Sequence, residues 1–168
     1  KPKQELVFEK EKPAAITDNC DKYVPFKVKE TGTSESFNTE NTAKITKCIN
    51  SVLKAEAPVS RTALAKKVFA CWGITRPGTT MKSCFDEALA NADCVSVTAG
   101  ETEFLWLKEQ NPSEYDKCRS VCDDENRRDM DEIPPEEIAV GIKIIMSRQL
   151  AMLRDDLIRE TAHLFGFT

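Results

Sequence analysis

The sequence predicts a mainly α fold with a small β-hairpin: a winged-helix-like domain, three helices plus a wing, followed by a C-terminal helical pair. Three observations predict it. Apolar residues recur at helical spacing in three successive segments between residues 42 and 90. Two short strand-like runs follow, Cys94-Val95-Ser96-Val97 and Thr102 to Leu107. Helix punctuation then returns at Ile133-Pro134-Pro135-Glu136-Glu137.

Residues 1–41 read as a polar linker or arm, rich in Lys, Glu, Thr, Ser and Pro, with no apolar period. The exception is Tyr23-Val24-Pro25-Phe26-Lys27-Val28, which is expected to lie extended against the domain. Residues 42–108 form the winged-helix-like domain. Ile45, Cys48, Ile49, Val52 and Leu53 set the face of the first helix, which Ala57-Pro58 ends. Ser60 caps a second helix whose stripe is Leu64, Ala65, Val68, Phe69 and Trp72, with Gly73 just past its end. The turn Thr75-Arg76-Pro77-Gly78 leads into a third helix with Met81, Cys84, Phe85, Ala88 and Leu89 inward. Thr98 to Glu101 turns the hairpin. Ile45, Ile49, Leu64, Val68, Phe69, Phe85, Leu89, Phe104 and Leu105 are expected to share one core.

Residues 109–132 read as an acidic, exposed connection. Residues 133–168 read as a helical pair packing on the winged helix. Its first helix presents Ile138, Ile142, Ile145, Met146 and Gln149, and its second Leu157, Ile158, Thr161, Ala162 and Phe165. Prolines and glutamates at 134–137 suit a helix start.

Composition excludes some function classes. The chain has 168 residues, 40% apolar and 31% charged, as in soluble globular proteins. Its richest apolar run, around Ile142 to Met146, is broken by Lys143 and is far too short to span a membrane. The first residue is Lys1 and no signal segment follows, so a fragment of a longer cytoplasmic polypeptide is expected. Seven cysteines, an odd number without any CxxC pair, point to free thiols. The closest pair is Cys118 and Cys122, and no second ligand cluster accompanies it, so no metal and no cofactor are expected.

Catalytic motifs are absent from the sequence: no phosphate-binding GxxxxGK[ST] or GxGxxG, no GxSxG and no HExxH. His163, the sole histidine, reads as an exposed residue on a helical face. Glu136, Glu137, Asp155 and Asp156 read as dipole-satisfying residues in first turns. Trp72 and Trp106 fit core positions better than base-stacking platforms. The fragment is therefore expected to be non-catalytic and to take no small-molecule substrate.

Charge is the informative feature. The net charge is −4, yet residues 41–85 hold Lys44, Lys47, Lys54, Arg61, Lys66, Lys67, Arg76 and Lys82 against Glu56 alone. In a winged helix the third helix enters the major groove with its N-terminal residues near bases and phosphates. Here these are Arg76, Thr79, Thr80, Lys82 and Ser83, while Arg61, Lys66 and Lys67 on helix two are placed for backbone phosphate. Against this stand Asp86, Glu87, Glu101 and Glu103 on the same helix and wing.

The ordered pieces EAPVSRTALAKKVFACWGITRPGTTMKSCFDEAL, FLWL, IPPEEIAVGIKIIM and LIRETAHLFGF resemble a bacterial family known as domain of unknown function 3320. The resemblance covers residues 42–168. It implies a domain ending very large proteins that carry superfamily 1 helicase motor segments and a Vsr-type endonuclease-like segment. It carries no catalytic residues onto this chain. The expectation is an accessory module that helps bind or position nucleic acid, DNA in particular, for upstream helicase or nuclease portions of the same polypeptide. The alternative is a protein-docking module acting within that polypeptide or on a partner.

Overall fold

A computed structural model describes residues 20–121, 127–148 and 151–167. They form five α-helices and two small sheets. In chain order these are β1 (Cys20–Lys22), α1 (Thr42–Glu56), β2 (Val59–Ser60), α2 (Arg61–Ala70), α3 (Thr79–Ala90), β3 (Cys94–Ala99), β4 (Thr102–Leu107), β5 (Cys118–Ser120), α4 (Pro135–Arg148) and α5 (Arg154–Leu164). No helix among the described residues is long and apolar enough to cross a membrane.

The first helices form where their apolar stripes predict. Ile45, Cys48, Ile49, Val52 and Leu53 are buried along α1. The Ser60 hydroxyl accepts the Ala63 N–H at 3.1 Å and so satisfies one of the free donors that begin α2. Gly73 follows α2 at φ +66°, a left-handed conformation that ends a helix without Cβ strain. Trp72 is buried just beyond the helix, edge-on to Phe37 with centroids 5.1 Å apart.

β3 and β4 form an antiparallel hairpin from Cys94↔Leu107 to Ala99↔Thr102. Its turn is only Gly100-Glu101, shorter than expected, and Gly100 supplies the positive φ of +62° that so tight a turn requires. A third strand, β2, escapes sequence reading because it is two residues long. It pairs with the outer side of β4 through Val59↔Leu105 and Ser60↔Phe104, giving the sheet order β2-β4-β3.

One core holds Ile45, Ile49, Leu64, Val68, Phe69, Phe85 and Leu105, with Leu89 half-buried against it. Phe104 is buried but lies outside this cluster. Neighbours along a strand point to opposite faces, so Phe104 and Leu105 cannot enter the same side of β4. On the face away from Leu105, Trp106 meets Tyr115 edge-on at 5.1 Å.

Two segments read as polar connections carry structure. In the expected arm, Tyr23 and Phe37 are buried, and β1 pairs in parallel with β5. Tyr23, Phe26 and Phe37 therefore pack on the fold, whereas Val24 and Val28 of the run expected to lie against it are exposed. The acidic connection contains β5, with Cys118 wholly buried, and it also buries Arg128. Its acidic run 123–125 lies outside the described residues.

The helical pair forms, but α4 turns a different face inward. Glu137, Val140, Gly141, Ile144 and Ile145 are buried, Ile138 and Ile142 lie at the margin, and Met146 is exposed. Gln149 lies outside the described residues. Two features set this rotation. Gly141 admits the following helix so closely that a Cβ there would stand 3.1 Å from both Leu164 and Phe165. Glu137 is held inward by two arginines. On α5, Thr161 is buried and Phe165 lies buried just past the helix end, as expected, whereas Ile158 is exposed.

Candidate functional site

The third helix begins as the turn 75–78 predicts. Gly78 is the N-cap, its missing side chain leaves the helix end without a side-chain cap, and Lys82 N–H donates to Gly78 C=O at 3.1 Å to close the first turn. Arg76, Thr79, Thr80, Lys82 and Ser83 are all exposed around this end. Neither Arg76 nor Lys82 makes an ion pair among the described residues. Free N–H groups, three hydroxyls and two cations without an ion pair among the described residues thus lie within residues 76–83 around one helix start, a set of groups suited to an anion.

The three helix-two candidates have other partners. The Arg61 guanidinium splits between β4 and α3, donating to Glu103 and to Asp86 at 2.7 Å each. Those bonds hold the Arg61 pKa above its usual value and the Glu103 carboxyl below its own. One cation thus faces two carboxylates. Lys66 is exposed but sits 3.3 Å from Glu132. Lys67 turns inward and pairs with Glu56 and the Tyr23 hydroxyl. It is removed from any surface phosphate.

Between α2 and α3 lies an open groove of about 710 Å³. Ala65, Phe69, Ile74, Pro77 and Phe85 give it an apolar floor, and Arg61, Lys66, Lys82 and Asp86 stand on its rim. A second depression, of about 360 Å³, is lined by Lys29, Lys44 and Lys47 together with Thr31 and Ser51. Of the basic residues of 41–85, Lys44 and Lys47 line this depression and Arg61, Lys66 and Lys82 the groove, while Lys67 turns inward.

Trp72 and Trp106 are 1% and 0% exposed, so neither offers a ring to a base. His163 is exposed on α5. No three His, Cys, Asp or Glu side chains converge on a metal-sized site among the described residues, and Cys122 lies outside them.

A buried ionic junction was missed by sequence reasoning. Glu137 accepts from Arg119 Nη2 at 2.6 Å and from Arg128 Nη1 and Nη2 at 2.9 and 2.7 Å. Arg119 also donates to the carbonyls of Glu56 and Pro58, at 2.6 and 2.9 Å. Glu56 receives Tyr23, Lys67 and the Phe26 N–H. Burial would raise the Glu137 carboxyl, but the bonds from Arg128 and Arg119 outweigh it and hold the group below its usual range. The cavity beside the junction measures only about 10 Å³, too small for a substrate. Its chemistry is that of a joint between the α1–α3 unit and the helical pair. A signal existed in the helical phase: Glu56 continues the Ile45–Ile49–Val52 stripe, and Glu137 leads the Val140–Gly141–Ile144 stripe.

A family model described as "Protein of unknown function (DUF3320)" matches residues 35–83, from the 3₁₀ turn Ser34–Ser36 to the fifth residue of α3. The match covers less than a third of the chain; it includes α1 and α2 and ends at Ser83, before Phe85 and Asp86 of α3. No curated protein and no solved structure matches the chain.

Proposed function

We propose that α1 to α3 and the β2-β4-β3 sheet form a winged-helix module that binds nucleic acid through the N-terminal end of α3. One observation carries this reading: Arg76 and Lys82 stand exposed, without an ion pair among the described residues, near Thr79, Thr80 and Ser83 at an open helix terminus. The order helix, short strand, helix, helix, hairpin supports the winged-helix reading. Short hydroxyl side chains contact phosphate but do not read bases in bidentate fashion, so binding is sequence-tolerant and driven by counterion release. The module is non-catalytic and positions DNA for helicase or nuclease segments of a larger cytoplasmic protein, a context that only the sequence resemblance implies. Filter binding to duplex and single-stranded DNA at two salt concentrations tests it. Wild-type protein without DNA affinity at low salt overturns it.

A second reading has its own observation. The apolar floor of the α2–α3 groove, where half-buried Ala65 and Pro77 lie over the buried Phe69, Ile74 and Phe85, favours docking of a protein segment there. A Lys82→Glu change would weaken DNA binding in the first reading, whereas Ala65→Arg, which obstructs the groove floor, would weaken docking in the second.

A further inference from the structure

The parallel pair β1–β5 sets Cys20 directly opposite Cys118, and the two sulfur atoms are 3.2 Å apart. That separation is a thiol–thiol contact with the backbones already in the register a bridge needs. The two sulfurs differ in access. Cys118 is wholly buried among Ile133, Val140, Ile144 and Phe165, whereas Cys20 is half-buried and open to solvent on one side.

We propose that Cys20 and Cys118 form a reversible thiol–disulfide site, in which Cys20 is the attacking sulfur and Cys118 the resolving one. The co-reactant is a low-molecular-weight disulfide such as glutathione disulfide. The Cys20 thiolate attacks one sulfur of that disulfide, forms a mixed disulfide and expels one thiolate. Cys118 then gives up its proton and attacks Cys20 Sγ, expelling the second thiolate. The protein dithiol is oxidised to one S–S bond, the small disulfide is reduced to two thiols, and the two protein protons end on those thiols.

The surroundings favour this division of labour. The Cys118 S–H and the Ser120 groups stabilise a Cys20 thiolate against the opposing effect of burial, and Arg148 adds positive charge, lowering Cys20 to about 6. The same contact and burial push Cys118 far up, with Glu137 adding to the rise and Arg128 opposing it. Thiolate character and access together select the attacking cysteine. Cys48, Cys71 and Cys84 are buried and lack such access. The bridge would close a loop across a separation of 98 residues and hold β1, with the Tyr23 segment behind it, on the C-terminal unit.

The test uses the full chain, equilibrated with defined ratios of reduced and oxidised glutathione and mapped by non-reducing peptide mass spectrometry. The expected product is a Cys20–Cys118 disulfide, formed equally in Cys122→Ser and absent in Cys20→Ser. Oxidised wild type should melt roughly 5 °C or more above reduced wild type, a rise that Cys20→Ser lacks. Cys118→Ser should accumulate glutathione on Cys20. Where that buried change prevents folding, the half-exposed Cys20→Ser decides alone. Cys20 remaining reduced, or Cys118 linking to Cys122 instead, overturns the proposal.

Discussion

Arg119 on β5 wraps the Glu137 carboxylate of α4, its Nε 3.2 Å from both oxygens and its Nη2 2.6 Å from one. The same guanidinium reaches the carbonyl of Glu56, the last residue of α1, and that of Pro58 just beyond it, so a single side chain ties the C-terminal pair to the first helix. Glu137 is 0% exposed and Arg128 nearly so, which makes the cluster costly to leave half-complete.

Replacing Glu137 with Gln leaves Arg119 and Arg128 buried without a counter-charge. The expected loss is about 3–5 kcal/mol of unfolding free energy. Urea denaturation of wild type and variant measures it. A loss below about 1 kcal/mol would show that water reaches and screens the junction.

The acid limb follows from the same group. The folded Glu137 pKa lies below its ordinary value of 4.5. Its contribution is therefore fully present above the unfolded value and is lost as pH falls from about 4.5 through the folded value. Subtracting the stability–pH curve of Glu137→Gln from that of wild type should leave this acid limb. A flat difference below pH 5 would contradict it.

Gly32 is fixed by close approach. A Cβ there would stand 2.5 Å from Ser36 Oγ and 2.7 Å from Trp72 Nε1. Gly32→Ala should destabilise by about 1–3 kcal/mol and shift Trp72 fluorescence, as the arm is pushed off the indole.

Phe69 lies 5.1 Å from Phe37 and 5.6 Å from Phe85, ring centre to ring centre. Phe69→Ala should cost ~3–5 kcal/mol. Thermal unfolding followed by circular dichroism reads the change.

Arg76 and Lys82 are both exposed, so Arg76→Glu with Lys82→Glu should abolish DNA binding and barely move the melting temperature. Each single change that takes a cation off a phosphate should lower the slope of log affinity against log salt by about one. Arg61→Ala is the contrasting variant. Because Arg61 already serves Glu103 and Asp86, its removal should change stability more than DNA affinity. Unchanged affinity in the Arg76, Lys82 double variant would move the interface elsewhere, to the face of Lys29, Lys44 and Lys47.

The helices and the hairpin are legible in the sequence because each is written in local terms. A repeat of apolar residues, the Ser60 cap, the glycines at 73 and 100 and the prolines near 134 act within a few residues of themselves. The exposed candidates on α3 were legible for the same reason: they lie off the apolar stripe of one helix. Which polar groups turn inward is set by how the elements pack. Lys67 and Arg61 look like surface cations in the sequence, and nothing local shows that Glu56 and Glu103 are waiting for them across the fold. Cys20 and Cys118 become neighbours, and Glu137 becomes buried, through pairings that span many residues. Burial of a charge is set by where its counter-charge lies in space, and that distance is fixed by packing between elements rather than by any period along the chain.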